Sequence, residues 1–438
     1  MAYLLGRPLT AEIHQFIYTH ANNLNDLKTI RCLTLTLFAI DAGCLANIFI
    51  AFGLSVFESL ILSISVFILP GVQDAIIMLA IQNALAILFT LWAYQISCRI
   101  EKYRIENALK NLSVISLILM SMFLYPQWSF FIFVPILIKY LLSTPAAVKR
   151  VYQEIFKLAV LFTISSLFYY FYIKTFISVH NARAGAYAFT IDLNFLFWKF
   201  FSVFTKILPM SFNFWNIYTI SWLGFLLMGL TLILLRKKTI LTLLFLFSTV
   251  SFWLLIRTDI VLHRIFYVTA VMALLAFFIG IRKVFNKDLT KGNYLIVGIL
   301  TAALACVSYL NYFNTLNYYL EFYYVQQTLL EYQEPYSRIH MVLAEPSNTG
   351  YNGYSTVDDT FNAKTSSFKF STDALNLLRA ALKENGVPGF VVIDNCEDNQ
   401  QACVMKKLLK NHLLVTHSNQ DQAVNYSPHM VLIDMSKL

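Results

Sequence analysis

Residues 104–157 read RIENALKNLSVISLILMSMFLYPQWSFFIFVPILIKYLLSTPAAVKRVYQEIFK. Two apolar runs, 112–124 and 128–143, stand on either side of Tyr125-Pro126-Gln127-Trp128. Basic residues bracket the pair, with Arg104 and Lys110 before it and Lys149, Arg150 and Lys157 after it. Apolar runs with Lys and Arg at one end and aromatic residues at the other are the pattern of membrane crossings, and the basic end is cytoplasmic. Both runs are short for a hydrocarbon core about 30 Å thick. The spacing therefore predicts a tight or re-entrant hairpin around YPQW, a backbone path tolerated where protein buries it.

The same pattern extends in both directions. Apolar segments at 29–50, 54–70, 75–96, 112–124, 128–143, 157–174, 216–235, 239–256, 264–281 and 293–311 read as about ten spans. Basic residues fill alternate breaks: Arg99, Lys102, Arg104 and Lys110; Lys149, Arg150 and Lys157; Arg236, Lys237 and Lys238; Arg282, Lys283, Lys287 and Lys291. Opposite them lie residues 1–28, Gly71–Asp74, 175–215, Arg257–Arg264 and everything after 311. Residues 193–210 are interrupted by Lys199 and Lys206, and a crossing there would put Arg236-Lys237-Lys238 outside; an interfacial amphipathic helix is expected instead. Residues 1–28 lack the pattern of a cleavable signal peptide and read as an outer amphipathic helix. An outer N-terminus ahead of the first span leads us to expect a further span upstream of Met1.

Composition agrees. Of 438 residues, 58% are hydrophobic and 13% charged, against about 45–50% and about 25% in soluble domains. The net charge of +9 conceals two parts. Residues 1–317 hold 24 basic and 11 acidic side chains, whereas 318–438 hold 9 and 13. The basic excess lies in loops and forms no stripe with interleaved aromatics, so no nucleic-acid partner is expected. The polar tail alternates strand-like runs (339–343, 390–393, 413–416, 430–433) with helical periodicity at 373–385 and 399–411. The expected fold is an α-helical polytopic membrane protein with a small C-terminal periplasmic α/β domain. Its parts are an outer segment at 1–28, a transmembrane domain at 29–317 and the tail domain at 318–438.

Cys32, Cys44 and Cys306 sit in apolar segments and Cys98 at a cytoplasmic end, where small buried hydrophobes suffice as a reading. Cys396 and Cys403 lie in the tail; they are either a disulfide, which an outer location permits, or two free thiols flanking a helix start. No His/Cys cluster has metal spacing, and the tail histidines His340, His412, His417 and His429 are read as surface or core residues. Neither a metal nor a cofactor is expected.

Several outer-side residues carry two readings each. Arg257, His263 and Arg264 share one short outer loop with Asp259; arginines there either grip a phosphate or snorkel to the headgroups. Arg7 has the same two readings. Asp74 is either a general base or an N-cap for the third span. Tyr125, Gln127 and Trp128 either line a sugar subsite or anchor the interface. Asp41 lies midway along the first span, where a carboxylate serves packing or a proton relay.

The opening Gly6-Arg7-Pro8-Leu9, the turn Leu69-Pro70-Gly71 with Gln73, the YPQW hairpin, Arg264 at the head of the ninth span, and the tail stretches Asp358–Phe361 and Thr365–Phe368 together resemble bacterial GT-C glycosyltransferases, among them O-antigen glucosyltransferases. The likeness covers most of the chain through short motifs. It implies an inner-membrane protein that moves a sugar from a polyprenyl-phosphate carrier to a periplasmic-side glycan or lipid acceptor. It also implies that Arg257, Arg264, His263 and Arg7 bind the donor phosphate. The family places an acidic catalytic residue in a loop ahead of the GRPL element; that residue is expected outside this chain, and the catalytic base is left unassigned, with Asp74 a weak candidate from its own position. The alternatives are a non-catalytic member that binds carrier lipid or glycan, and a membrane transporter.

Overall fold

The structure is a computed structural model that describes residues 7–20, 24–69, 71–72, 80–99, 103–176, 193–202, 229, 238–255, 266–284, 298, 302, 338–342, 391–394, 416–417, 423–427 and 430–434. The chain divides into two compact units, one of Met1–Asn22 and Asp26–Ala305, the other of Asn23–Asn25 and Cys306–Leu438.

The first unit is helical among its described residues. Its helices are α1 (Pro8–His20), α2 (Leu24–Ala51), α3 (Val56–Ile68), α4 (Ile81–Ser97), α5 (Arg104–Leu124), α6 (Phe133–Leu142), α7 (Val148–Phe176), α8 (Leu193–Ser202), α9 (Thr239–Leu255) and α10 (Tyr267–Val284), with a 3-10 turn at Trp128–Ile132 before α6. Three stretches, Lys28–Ala51, Arg104–Leu124 and Val148–Thr175, are long and apolar enough to cross a membrane. Shorter apolar helices cover Val56–Ile68, Trp128–Leu142 and Tyr267–Gly280. These mark a helical membrane protein.

Burial follows helical spacing. On α2, Thr34, Phe38, Asp41, Leu45 and Phe49 are buried, three and four residues apart, while Leu33, Leu35 and Ile40 face out. Apolar side chains on the outer face suit a lipid solvent. Helix α4 differs: Ala84, Ile87, Leu88, Leu91 and Tyr94 are buried together with Gln82, Asn83 and Thr90, and α5 and the 3-10 turn pack against it. A helix buried nearly all round belongs to the core of the bundle.

Several helix boundaries differ from the expected spans. Helix α5 begins at Arg104 and α7 at Val148, eight and nine residues before the apolar runs. Charged residues read as loop thus extend the helices. Glu106 reaches back to the Tyr103 N–H at 3.4 Å, and Lys110 Nζ donates to the Arg99 carbonyl. The run at 128–143 divides into the 3-10 turn and the ten residues of α6. Helix α8 is described over ten residues of the expected interfacial segment. It turns Lys199 fully inward and leaves Phe197, Trp198 and Phe201 exposed.

Side-chain bonds tie the ends together. Ser55 caps α3, with Glu58 N–H donating to Ser55 Oγ at 3.2 Å and Glu58 Oε2 accepting from the Ser55 N–H at 2.9 Å. The other oxygen, Glu58 Oε1, accepts from Arg282 Nε of α10 at 3.0 Å. Between α2 and α3 the backbone turns at Gly53, whose φ of +85° suits a residue without Cβ. Lys238 Nζ donates to the carbonyls of Tyr140, Leu141 and Ser143 at 2.6, 2.9 and 2.9 Å. That ammonium satisfies carbonyls at the C-terminus of α6, where positive charge also meets the helix dipole.

The second unit contains a five-stranded sheet: β1 (Arg338–Val342), β2 (Val391–Asp394), β3 (Thr416–His417), β4 (Ala423–Ser427) and β5 (Met430–Asp434), ordered β2-β1-β5-β4-β3. Strand β1 runs parallel to both β2 and β5, while β4 is antiparallel to β5 and to β3. Of the expected runs, 339–343, 390–393 and 430–433 match β1, β2 and β5 within one residue, and 413–416 meets β3 at Thr416, its other residues lying outside the described ones. Strand β4 was hidden in sequence because AVNYS has weak alternation; pairing with β5 defines it. The expected helices at 373–385 and 399–411, together with Cys396 and Cys403, lie outside the described residues.

Candidate functional site

Helix α5 ends where Pro126 removes an N–H. Tyr125 N–H still reaches Ser121 O at 2.8 Å, Trp128 N–H turns back to Tyr125 O at 3.0 Å, and Ser129 Oγ donates to Pro126 O at 2.6 Å. These bonds wind the chain into the 3-10 turn and send Trp128 into the bundle.

Trp128 is fully buried and stacks on Tyr267, the first residue of α10, with ring centroids 4.4 Å apart. Tyr125 meets it edge-on at 6.0 Å, and Phe38 lies 6.2 Å away. Tyr267 also stacks on Phe131 and donates its hydroxyl to Val66 O of α3 at 3.2 Å. Phe38 lies ten positions along α2 from Lys28, about 15 Å at 1.5 Å per residue. The hairpin is therefore recessed, and its tryptophan meets α2 well inside the span.

Helix α1 rests on this end. Thr10 Oγ1 donates to Leu124 O, the last carbonyl of α5, which has no partner within its own helix. That bond brings Arg7 over Tyr125, with its guanidinium carbon 4.1 Å from the ring centroid, a cation–π distance. Arg7 Nε is buried and has no hydrogen-bond partner. One turn or two further on, half-buried His14 lies beside Gln82 of α4. Burial pushes the imidazole pKa below its ordinary 6.5; the Gln82 side chain opposes this, and the Arg7 charge adds to the lowering.

The amides at this end are poorly satisfied. Asn83 Oδ1 and Nδ2 and Gln127 Oε1 are all buried without hydrogen-bond partners. Buried polar groups are nearly always paired, so each exception calls for an explanation. Asp41 is a further one. Both its oxygens lack partners, its side chain is fully buried, and Tyr267 and Cys44 lie within its electrostatic reach.

The structure thus brings together Arg7, Tyr125 and Trp128, and keeps Gln127 beside them in the hairpin. All three hairpin residues are buried, and one face of Trp128 is taken by Tyr267. Asp74, Arg257, His263 and Arg264 lie outside the described residues. His14, Gln82, Asn83 and Tyr267 are additions that the sequence reading missed. The signal for two of them was available: Gln82-Asn83 is an adjacent amide pair inside an otherwise apolar run. Among the described residues no group of three or more His, Cys, Asp or Glu side chains could hold a metal. Compared with known proteins, the chain matches no family model, no curated protein and no solved structure.

Proposed function

We propose that this chain is a membrane glycosyltransferase-like protein, resembling the bacterial GT-C enzymes, that engages a polyprenyl-phosphate-linked sugar at its aromatic end and passes the sugar to a glycan or lipid acceptor. The observation that carries this reading is Arg7, held over Tyr125 with a buried, unpartnered Nε. A guanidinium whose Nε is buried with an unfilled N–H suits phosphate oxygens, which its planar fork matches. Apolar helices flank the hairpin, and a carrier's hydrocarbon tail would lie along them while its phosphate meets the arginine.

The proposed reaction is an inverting displacement at the sugar C1. The acceptor hydroxyl oxygen bonds to C1 as the C1–O bond to the carrier phosphate breaks. The hydroxyl proton passes to a carboxylate base, for which Asp74 is the weak candidate, and the electron pair leaves on the phosphate. Arg7 stabilises that growing charge. Arg257, His263 and Arg264 join it on sequence grounds. In this reading the chain crosses the bacterial inner membrane about ten times and carries residues 318–438 as a periplasmic α/β domain. The mixed sheet of the second unit supports that domain. A non-catalytic member that binds carrier lipid or glycan is the runner-up within the same fold.

The test is mass spectrometry of surface glycans and lipid-linked sugars from cells that carry the chain, lack it, or carry Arg7→Ala at equal abundance. The expected result is loss of one sugar from the glycan with build-up of its carrier-linked form, and a fall on the order of a hundredfold in transfer for Arg7→Ala. Unchanged pools in cells lacking the chain would sink the transfer reading. Unchanged pools alongside Arg7-dependent binding of carrier lipid would favour the non-catalytic member.

A further inference from the structure

We propose that the recess holds a subsite, built from Gln82 and Asn83 in the first turn of α4 and from Gln127 of the hairpin, that binds the hydroxyl groups of a sugar. This rests on the reading above, in which Arg7 meets a lipid-linked sugar phosphate, and adds where the sugar lies.

The unpartnered atoms are two donors, Arg7 Nε and Asn83 Nδ2, and two acceptors, Asn83 Oδ1 and Gln127 Oε1, with the Gln82 amide beside them against His14. An ionised phosphate accepts hydrogen bonds and donates few, so it satisfies Arg7 and leaves the amide oxygens unmet. A hydroxyl both donates and accepts. A ligand carrying several hydroxyls therefore matches the mixed set where a phosphate or an ammonium does not. The conclusion does not depend on how the amides are turned, because Asn83 lacks partners at both ends and presents one donor and one acceptor in either orientation.

Two observations set these groups on neighbouring elements. Gln82 lies beside His14, which shares helix α1 with the Arg7 end and feels the Arg7 charge. Asn83 is the next residue of the same first turn, and α4 packs against the 3-10 turn that follows Gln127. Gln82, Asn83 and Gln127 are at most 5% exposed, so bulk water does not serve them.

The experiment uses the full chain in lipid nanodiscs and ligand-observed NMR. The probes are hexyl glucoside, hexyl galactoside and hexyl N-acetylglucosaminide, with hexyl phosphate and hexanol for comparison. At least one glycoside is expected to bind saturably, and Asn83→Leu and Gln82→Leu are each expected to weaken it tenfold or more. Hexyl phosphate is expected to depend on Arg7 and to ignore Asn83→Leu. If Asn83→Leu does not fold, Gln82→Leu carries the test. Absence of glycoside binding, or binding untouched by both variants, overturns the proposal and leaves the amides to trapped water. Arg7-dependent hexyl phosphate binding in that case would spare the carrier-lipid reading. Asn83-dependent glycoside binding with unchanged cellular glycans would sink the transfer reading and keep the subsite.

Discussion

His14 shows how one residue can carry the state of a site. Its pKa is lowered mainly by burial and further by Arg7. An unfolded chain therefore takes up this proton more readily than the folded one. The stability of the folded state is fully present above the ordinary value of 6.5 and falls as pH drops below it, until the folded imidazole itself titrates. We expect thermal melts of the wild type to lose more stability between about pH 7.5 and about pH 5.5 than those of His14→Gln. Equal losses would show that His14 is not the group responsible. Asn83 makes the complementary case. An unsatisfied buried polar group costs roughly 1–3 kcal/mol. Asn83→Leu, expected to lose glycoside binding, is also expected to melt at or above the wild-type temperature, and a clear drop would mean that Asn83 is satisfied in the folded protein. At this scale Arg7, Tyr125, Gln127 and Trp128 were legible in sequence as polar or aromatic residues at an outer turn. His14 and Gln82 were not, because nothing in a linear reading brings position 14 against position 82.

Among the elements, α1 decides whether Arg7 reaches Tyr125. Its anchor is the Thr10 bond to Leu124 O, which serves a carbonyl that α5 leaves open. Thr10→Val keeps the shape of the side chain and removes the hydroxyl. It is expected to cost about 1 kcal/mol and to raise hydrogen exchange across Pro8–His20 while leaving α5 protected. Exchange unchanged in α1 would mean that other contacts seat it. The sequence reading placed an amphipathic helix here but not its seat. The same holds for Lys238, read as one of three loop charges, which folding turns into a cap on α6. Charge pattern reports which side of a membrane a lysine favours; it is silent on which carbonyls lie within its reach.

For the helical unit as a whole, its described contacts sort into two ends. Glu58 with Arg282, Lys139 with Glu154, and Lys238 with the end of α6 join segments assigned by loop charge to one side. Thr10 with Leu124, Arg7 with Tyr125, and Trp128 with Tyr267 join segments assigned to the other. Glu12 in α1 and Cys98 at the end of α4 are both exposed. In a background without the other cysteines, an impermeant maleimide is expected to label Glu12→Cys in intact cells and to reach Cys98 after permeabilisation alone. Labelling of Cys98 in intact cells would invert the orientation.

The sequence by itself determined the helical membrane character, the alternation of basic and aromatic ends, and most strands of the tail. Each of these follows from local composition against a single apolar solvent, and from periods of two or 3.6 residues. Only the tertiary structure decided that the YPQW turn is recessed, that α1 docks on the open end of α5, and that Arg7 comes to lie over Tyr125. Those contacts join residues about ninety or more positions apart, and depend on which backbone carbonyl is left unpaired and which side chain can reach it.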